Sequence, residues 1–336
     1  MARCASAPRL VTTMTPLRMS FVGGGSDFSE FYLQDGGAVL STAIDKYIYV
    51  TIKAHSPLFG EAFRINYSVT EHASSLDDIE NDIARECLRL VPVAPPLYVS
   101  TAADLPANSG LASSSAYAVG LLYALHVMRG EDVSAGQLAE EACTVEIERL
   151  RRPIGKQDQY AAAFGGLNLI EFHRDEMVTL DPIWLGDDKL EKLFTSSLIF
   201  WTGIQRNAAT VLTEQRARIN DTREIIAAMR DDALQLRSLF RNGFDLKKFG
   251  ALLDRNWRRK RELATLISDE SIDRWYEMAL AAGALGGKVL GAGGGGFLYL
   301  VAPTERHPPI RAALAQLPEI SFAYEPRGSR VLHMVA

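Results

Sequence analysis

The chain is poor in several features that usually mark function. It has 3 cysteines in 336 residues, Cys4, Cys87 and Cys143. They are far apart and odd in number, so reduced thiols are expected rather than a disulfide framework or a zinc site. No apolar run approaches the ~20 residues of a spanning helix, so no membrane partner is expected. The first residues, Met1 to Pro8, hold one arginine and no apolar stretch behind it. That reads as no secretory signal and a cytoplasmic setting. Basic residues are not in excess: 36 Lys and Arg against 41 Asp and Glu give a net charge of −5. This argues against a nucleic-acid partner. No histidine pair at i, i+4 offers a metal site, and His126 reads as a structural residue on a helix. The patterns G-x-x-x-x-G-K-[ST], H-R-D, D-F-G and G-x-S-x-G are all missing. A Walker-type nucleotide loop, protein-kinase chemistry and a hydrolase serine are therefore unsupported.

What is present is ordinary globular material, 47% hydrophobic and 23% charged, in a chain long enough for two cores. Strands are expected over 38–53, 97–101, 164–185, 197–202, 297–302 and 330–335. Helices are expected over 77–90, 113–128, 135–150 (capped by Ser134), 206–267 with a break near Gly243, 271–285 and 308–317. Interleaved strands and helices in both halves give an α/β or α+β class. The expected division is 1–185 and 186–336, where strand-rich sequence yields to long helices.

Four segments carry chemistry. In Asp104-Leu-Pro-Ala-Asn-Ser-Gly-Leu-Ala-Ser-Ser-Ser-Ala116 a turn leads into an apolar helix. The free N–H groups there, with the helix dipole, suit an anion such as phosphate, and equally the serines suit an N-cap. Lys288-Val-Leu-Gly-Ala-Gly-Gly-Gly-Gly-Phe297 allows close backbone approach. Its formal G-x-G-x-x-G match runs into a strand, against a dinucleotide fold. Gly23-Gly-Gly-Ser-Asp27 is a tight turn with one carboxylate. Glu146 precedes a break at Pro153 and Gly155, after which Asp158 opens a helical stretch; such a carboxylate binds Mg²⁺, takes a proton or caps a helix.

In this order the segments resemble the GHMP kinase family over nearly the whole chain. Pro16-Leu-Arg-Met-Ser-Phe-Val-Gly-Gly-Gly-Ser-Asp27 resembles its first motif. Pro106 to Ala116 resembles P-x-x-x-G-L-G-S-S-A, and Gly291 to Phe297 the C-terminal motif. Gly23 to Asp27, Ile44 to Val50 and Pro153 to Gly166 are most similar to the branch that phosphorylates the anomeric hydroxyl of D-glycero-D-manno-heptose 7-phosphate. The kinase part of L-fucokinase has similar motifs, which leaves a free sugar as the alternative. A non-catalytic ATP- or sugar-binding protein on the same fold is the reading of another class.

The resemblance implies a two-domain α+β fold, with an N-terminal domain like ribosomal protein S5 domain 2 and a ferredoxin-like C-terminal domain. It implies ATP and Mg²⁺, with a small-molecule sugar or sugar phosphate as partner; no oligomeric state is read. Asn108, Ser109, Gly110, Leu111, Ala112, Ser113, Ser114 and Ser115 would wrap the ATP phosphates. Ser114 and Glu146 would hold Mg²⁺. Asp158 would take or orient the proton of the sugar hydroxyl, and Arg18 would stabilise that oxygen. Gly24, Gly25, Ser26, Asp27, Gly293 and Gly294 would meet the sugar. Lys156 and Arg206 would bind its phosphate, with Lys46 and the 255–261 run as further candidates. Ala112 departs from the family glycine and fits if its φ stays negative. The adenine pocket is placed within 67–78.

Overall fold

The computed structural model describes residues 8–205 and 208–335. Cys4 and Arg206 lie outside the described residues. The first half begins with two long strands, β1 (Leu10–Val22) and β2 (Gly37–Ala54), joined through α1 (Ser29–Asp35). β3 (Phe63–Asn66), β4 (Thr70–Ala73), α2 (Asp82–Leu90) and β5 (Leu97–Ala103) follow, then α3 (Ser113–Met128), α4 (Ala135–Cys143), α5 (Gln157–Phe164), β6 (Leu167–Phe172) and β7 (Val178–Pro182). The second half has α6 (Asp187–Thr195), β8 (Ser197–Trp201), α7 (Ala208–Ala217), α8 (Arg223–Asn242), α9 (Leu246–Leu263) and α10 (Glu270–Ala281). β9 (Gly286–Val289), β10 (Phe297–Val301), α11 (His307–Ala313) and β11 (Arg330–Val335) complete it.

The large sheet runs β11-β1-β2-β5-β3-β4. The length of β2 lets it serve two neighbours on one edge: residues 37–42 pair with β6 and residues 48–54 with β5. β1 lies along the other edge of β2 for its whole length. The helix α3 covers this sheet and is buried nearly all round. Its small residues permit a close seat. A Cβ on Gly120 would lie 2.7 Å from Thr15 Oγ1, and Thr13 Oγ1 donates to the Gly120 carbonyl at 2.8 Å.

The second sheet is antiparallel, β8-β10-β9. A ferredoxin-like order of β-α-β-β-α-β would add a fourth strand. Here residues 318–320 take that place beside β8, through Trp201 N to Pro318 O and Ile320 N to Ile199 O. The whole is the α+β class that the sequence implies, with one difference in division. β11, expected with the C-terminal half, pairs with β1 from Leu10↔Val335 to Met14↔Arg330. The chain therefore closes its first sheet with its last strand.

The two cores interlock. Phe28 and Phe31 of the first half pack with Trp257, Tyr276 and Leu298 of the second. Phe240 and Phe249 of α8 and α9 pack with Phe21 of β1. Both halves are thus anchored on the turn 23–28 and the end of β1, where the site forms.

Candidate active site

The centre of the site is an ion pair. Arg18, buried on β1, donates from Nε to Asp158 Oδ1 at 2.8 Å, and its Nη2 lies 2.7 Å from the same oxygen. Its Nη1 donates to the Gly110 carbonyl at 2.8 Å. Asp158 stands in the first turn of α5 and remains a quarter exposed. One guanidinium thus ties the aspartate to the loop before α3.

That loop is shaped by left-handed residues: Asn108 at φ 58, Gly110 at φ 84 and Ala112 at φ 66. The expectation of a negative φ at Ala112 is therefore corrected. Its methyl is held in the conformation a glycine takes freely, at a cost of about 1–2 kcal/mol. Leu111 faces the core, and its carbonyl accepts the Arg18 N–H at 3.2 Å. Ser113 and Ser114 open α3 toward a cavity. Ser115 turns inward and donates to Glu146 Oε2 at 2.6 Å. Glu146, wholly buried, also accepts from Gln159 Nε2 at 2.8 Å and Arg152 Nη1 at 3.2 Å. Burial pushes its carboxyl up, against these donors and Ser114. It lies in a π-helical stretch, residues 144–149, at the end of α4; such stretches recur at functional sites.

Two cavities meet at Arg18 and Asp158. The larger, about 510 Å³, runs from Tyr67, Asn81, Thr101 and Tyr117 past Ser113 and Ser114. Within the segment 67–78, Tyr67 and Ser68 reach this cavity and the rest do not line it. The smaller, about 70 Å³, is lined by Ser20, Gly24, Gly25, Asp27, Gln157, Lys260 and Lys288. Both also share Ile154, Leu212, Gly291 and Ala292. Asp27 is buried there. It accepts from Gly25 N and from Gln157 Nε2, each at 2.9 Å. Burial, then the negative charge of Asp158, raises its pKa.

Several expected substrate contacts lie elsewhere. The Ser26 hydroxyl donates to Gly23 O at 2.7 Å and takes the Ala38 N–H at 3.0 Å, so it holds the turn to β2. Lys156 places its ammonium over the Tyr32 ring, 5.6 Å from the centroid, and lines neither cavity. Lys46 bonds Asp45 at 3.2 Å. Gly293 and Gly294 pack on Ile267, whose carbonyl takes the Gly294 N–H at 2.7 Å. The members of that turn that reach the cavities are Gly291 and Ala292. In the 255–261 run, Arg255 and Arg259 pair with Asp232, Arg258 with Asp254 and Arg261 with Asp273.

Lys260 alone of that run enters the site, where its ammonium donates to the Gly291 carbonyl. Burial, then the charge of Arg18, lowers its pKa to about 7. Lys288 donates to Ser20 O at 2.8 Å and Phe21 O at 3.0 Å and is pushed well down by burial. No local sequence signal marks Ser20, Gln157 or the inward placement of Lys288. A signal existed for Lys260: it continues the buried stripe Phe249, Leu253, Trp257 of α9. A lysine on an apolar stripe is a buried cation.

Comparison with known proteins matches both halves of the chain to one family. Residues 79–166 match the GHMP kinases N terminal domain, and residues 224–318 match GHMP kinases C terminal. A D-glycero-alpha-D-manno-heptose 7-phosphate kinase of Campylobacter jejuni is 30% identical over 90% of this chain and 93% of its own. An L-fucokinase/L-fucose-1-P guanylyltransferase of Bacteroides fragilis is 25% identical over 88% of this chain and 35% of its own. Among solved structures, a D-glycero-D-manno-heptose 1-phosphate kinase of Bacteroides thetaiotaomicron superposes with a TM-score of 0.79 at 25% identity, covering 97% of this chain and 100% of that one. With both domain matches and a relative aligned along nearly its whole length, the chain belongs to the GHMP kinase family.

Proposed function

We propose that this chain transfers the γ-phosphoryl group of ATP to the C1 hydroxyl of D-glycero-D-manno-heptose 7-phosphate, giving the 1,7-bisphosphate and ADP. The observation that carries it is the Arg18–Asp158 pair at the junction of a large cavity and a small polar one. A kinase needs its acceptor oxygen at such a meeting point, in line with the donor phosphate. The Campylobacter jejuni relative supplies the choice of sugar.

The nucleotide takes the larger cavity, with its phosphates at the N-terminus of α3. Free N–H groups and the helix dipole favour negative charge there. The loop 108–112 and the first-turn serines Ser113 and Ser114 face it. Tyr67, Asn81, Thr101 and Tyr117 at the far end surround the base. The donor set also fits Mg²⁺: a serine hydroxyl on the cavity wall stands beside one buried carboxylate, both hard oxygen ligands. Ser114 and Glu146 would hold the ion, and it would offset charge on the β- and γ-phosphates.

Asp158 accepts the C1 hydroxyl proton as the new O–P bond forms and the bond from γ-phosphorus to the bridging oxygen breaks. Arg18 fixes the carboxylate and faces the charge that gathers on the transferring group. In a loose transition state, this orientation contributes more than early proton removal. Reaction on ATP sets the protein in the cytoplasm, and a boundary near 185 with β11 returned to the first domain completes the proposed organisation.

A free sugar 1-kinase is the second reading. It is favoured by one observation: Lys46 and Lys156, expected to hold a sugar phosphate, point away from the site. Steady-state assays with ATP and Mg²⁺ on heptose 7-phosphate, heptose 1-phosphate and L-fucose separate these. Turnover of the 7-phosphate alone supports the first reading; preference for fucose replaces it with the second.

A further inference from the structure

Buried polar atoms in folded proteins are almost always hydrogen-bonded, and leaving one unpaired costs about 1–3 kcal/mol. The small cavity breaks this rule twice. Ser20 Oγ and Gln157 Oε1 are both buried, and neither has a hydrogen-bond partner among the described residues. Both residues line the cavity. Gln157 is oriented by its own amide, whose Nε2 is spent on Asp27, so its oxygen is the free end. Lys260 is a third unfilled group. An ammonium has three donors, and among the described residues this one donates to the Gly291 carbonyl and otherwise faces the Trp257 ring, 6.0 Å from the centroid.

These groups share one space. A Cβ on Gly24 would stand 3.6 Å from Gln157 Nε2 and 4.0 Å from Ser20 Oγ. Gly24 is not among the positive-φ glycines, and both distances are ordinary van der Waals contact, so backbone and space alike admit a methyl there. The remaining charged neighbours already have partners: Asp27 takes Gly25 and Gln157, Lys288 takes two carbonyls, and Arg18 holds Asp158. A hydroxyl that gives and takes, an amide oxygen that takes and an ammonium that gives are the complement of vicinal hydroxyls. The cavity of about 70 Å³ holds about two waters' worth of liquid, the room of a few sugar hydroxyls rather than of a phosphate-bearing tail.

We propose that Ser20, Gln157 and Lys260 are sugar-binding residues that grip the hydroxyls neighbouring the reacting one. This deepens the sugar-kinase reading above and rests on it. It also assigns Lys260 to the reacting end of the sugar and removes it from the candidates for the distal phosphate.

Ser20→Ala is the sharpest test, because that hydroxyl bonds no group among the described residues and its loss should leave the fold intact. Activity is measured on a panel of heptose 7-phosphate, L-fucose, D-galactose and D-mannose, and the variants are studied on the substrate the wild type turns over. Loss of one hydrogen bond to substrate raises the sugar KM about tenfold, with the ATP KM and the melting temperature unchanged. Lys260→Met raises the sugar KM at least as much. If it instead raises the ATP KM, Lys260 acts through Gly291 and the proposal fails for that residue. Gly24→Ala, which fills the shared space, raises the sugar KM while melting as the wild type does. An active wild type whose Ser20→Ala and Gly24→Ala variants keep its sugar KM overturns the assignment alone. A wild type inert on the whole panel overturns the sugar-kinase reading, and the assignment with it.

Discussion

Gly110 and Gly291 meet backbone to backbone. A Cβ on Gly291 would lie 2.5 Å from the Gly110 Cα, and one on Gly110 would lie 2.6 Å from the Leu290 carbonyl oxygen. One belongs to the loop before α3 and the other to the turn between β9 and β10. Their contact joins the two halves where the two cavities meet. Gly291→Ala must part these backbones, and its φ of 67 adds strain. It is expected to raise the ATP KM more than tenfold and to lower stability by about 1–3 kcal/mol, read by nucleotide titration and thermal melting.

Ala112 pays for a left-handed conformation, at φ 66 and ψ 34. Ala112→Gly relieves that strain and loses some chain entropy in return. The expected net gain is about 0.5–1 kcal/mol, a rise of about 1–3 °C in Tm. The geometry of the loop 108–112 is kept, so the ATP KM is expected to stay within about twofold.

Much of this site was legible in local sequence. Arg18, Asp27, the loop 108–115, Glu146 and Asp158 lie in short motifs whose glycines, serines and acids have few other uses together. The differences share one cause, since each depends on what a distant segment does. The sequence does not mark β1 as a strand, because Pro16 and Arg18 break its apolar pattern; Arg18 is buried only because Asp158 and Gly110 receive it. The 255–261 run is a candidate phosphate site in the sequence, yet Asp232, Asp254 and Asp273 take its arginines and Lys260 is left turned inward. The sequence points the glycine turn at substrate through Gly293 and Gly294, yet Gly293 packs on Ile267, the Ile267 carbonyl takes the Gly294 N–H, and Gly291 meets Gly110. β11 was recognised as a strand, but its partner β1 is over 300 residues away, and no local pattern names it.

Lys260 gives the enzyme a pH signature. It is faced by Arg18 and Lys288, which disfavour its charge, and by Asp27 and Asp158 in the same cavity. Its pKa falls from 10.5 to about 7 on folding. Between about 7 and 10.5 the unfolded chain holds the extra proton, so this group's share of stability rises with pH across that window. Below about 7 both states carry the charge and the penalty is constant. In the free enzyme the ammonium is lost above the same pH, so kcat/KM for the sugar falls there. Lys260→Met flattens both profiles, as measured by pH-dependent melting and initial rates.

Glu146 offers a separate check on the metal assignment. Glu146→Gln keeps the shape and the Ser115 contact but removes the charge a divalent ion needs. The Mg²⁺ concentration for half-maximal rate is expected to rise at least tenfold, with the sugar KM little changed. An unchanged Mg²⁺ dependence would give Glu146 a purely structural role with Ser115, Gln159 and Arg152.

The central claim is that Asp158 handles the proton of the acceptor hydroxyl. Its most direct test is the kcat of Asp158→Asn beside Arg18→Met, with ATP and heptose 7-phosphate saturating. The account predicts that Asp158→Asn lowers kcat by about 10²–10⁴-fold while MgATP still binds with near wild-type affinity. Arg18→Met should fall in the same direction, and the double variant by less than the product of the two. An Asp158→Asn enzyme that keeps kcat within a few-fold of wild type would contradict the claim.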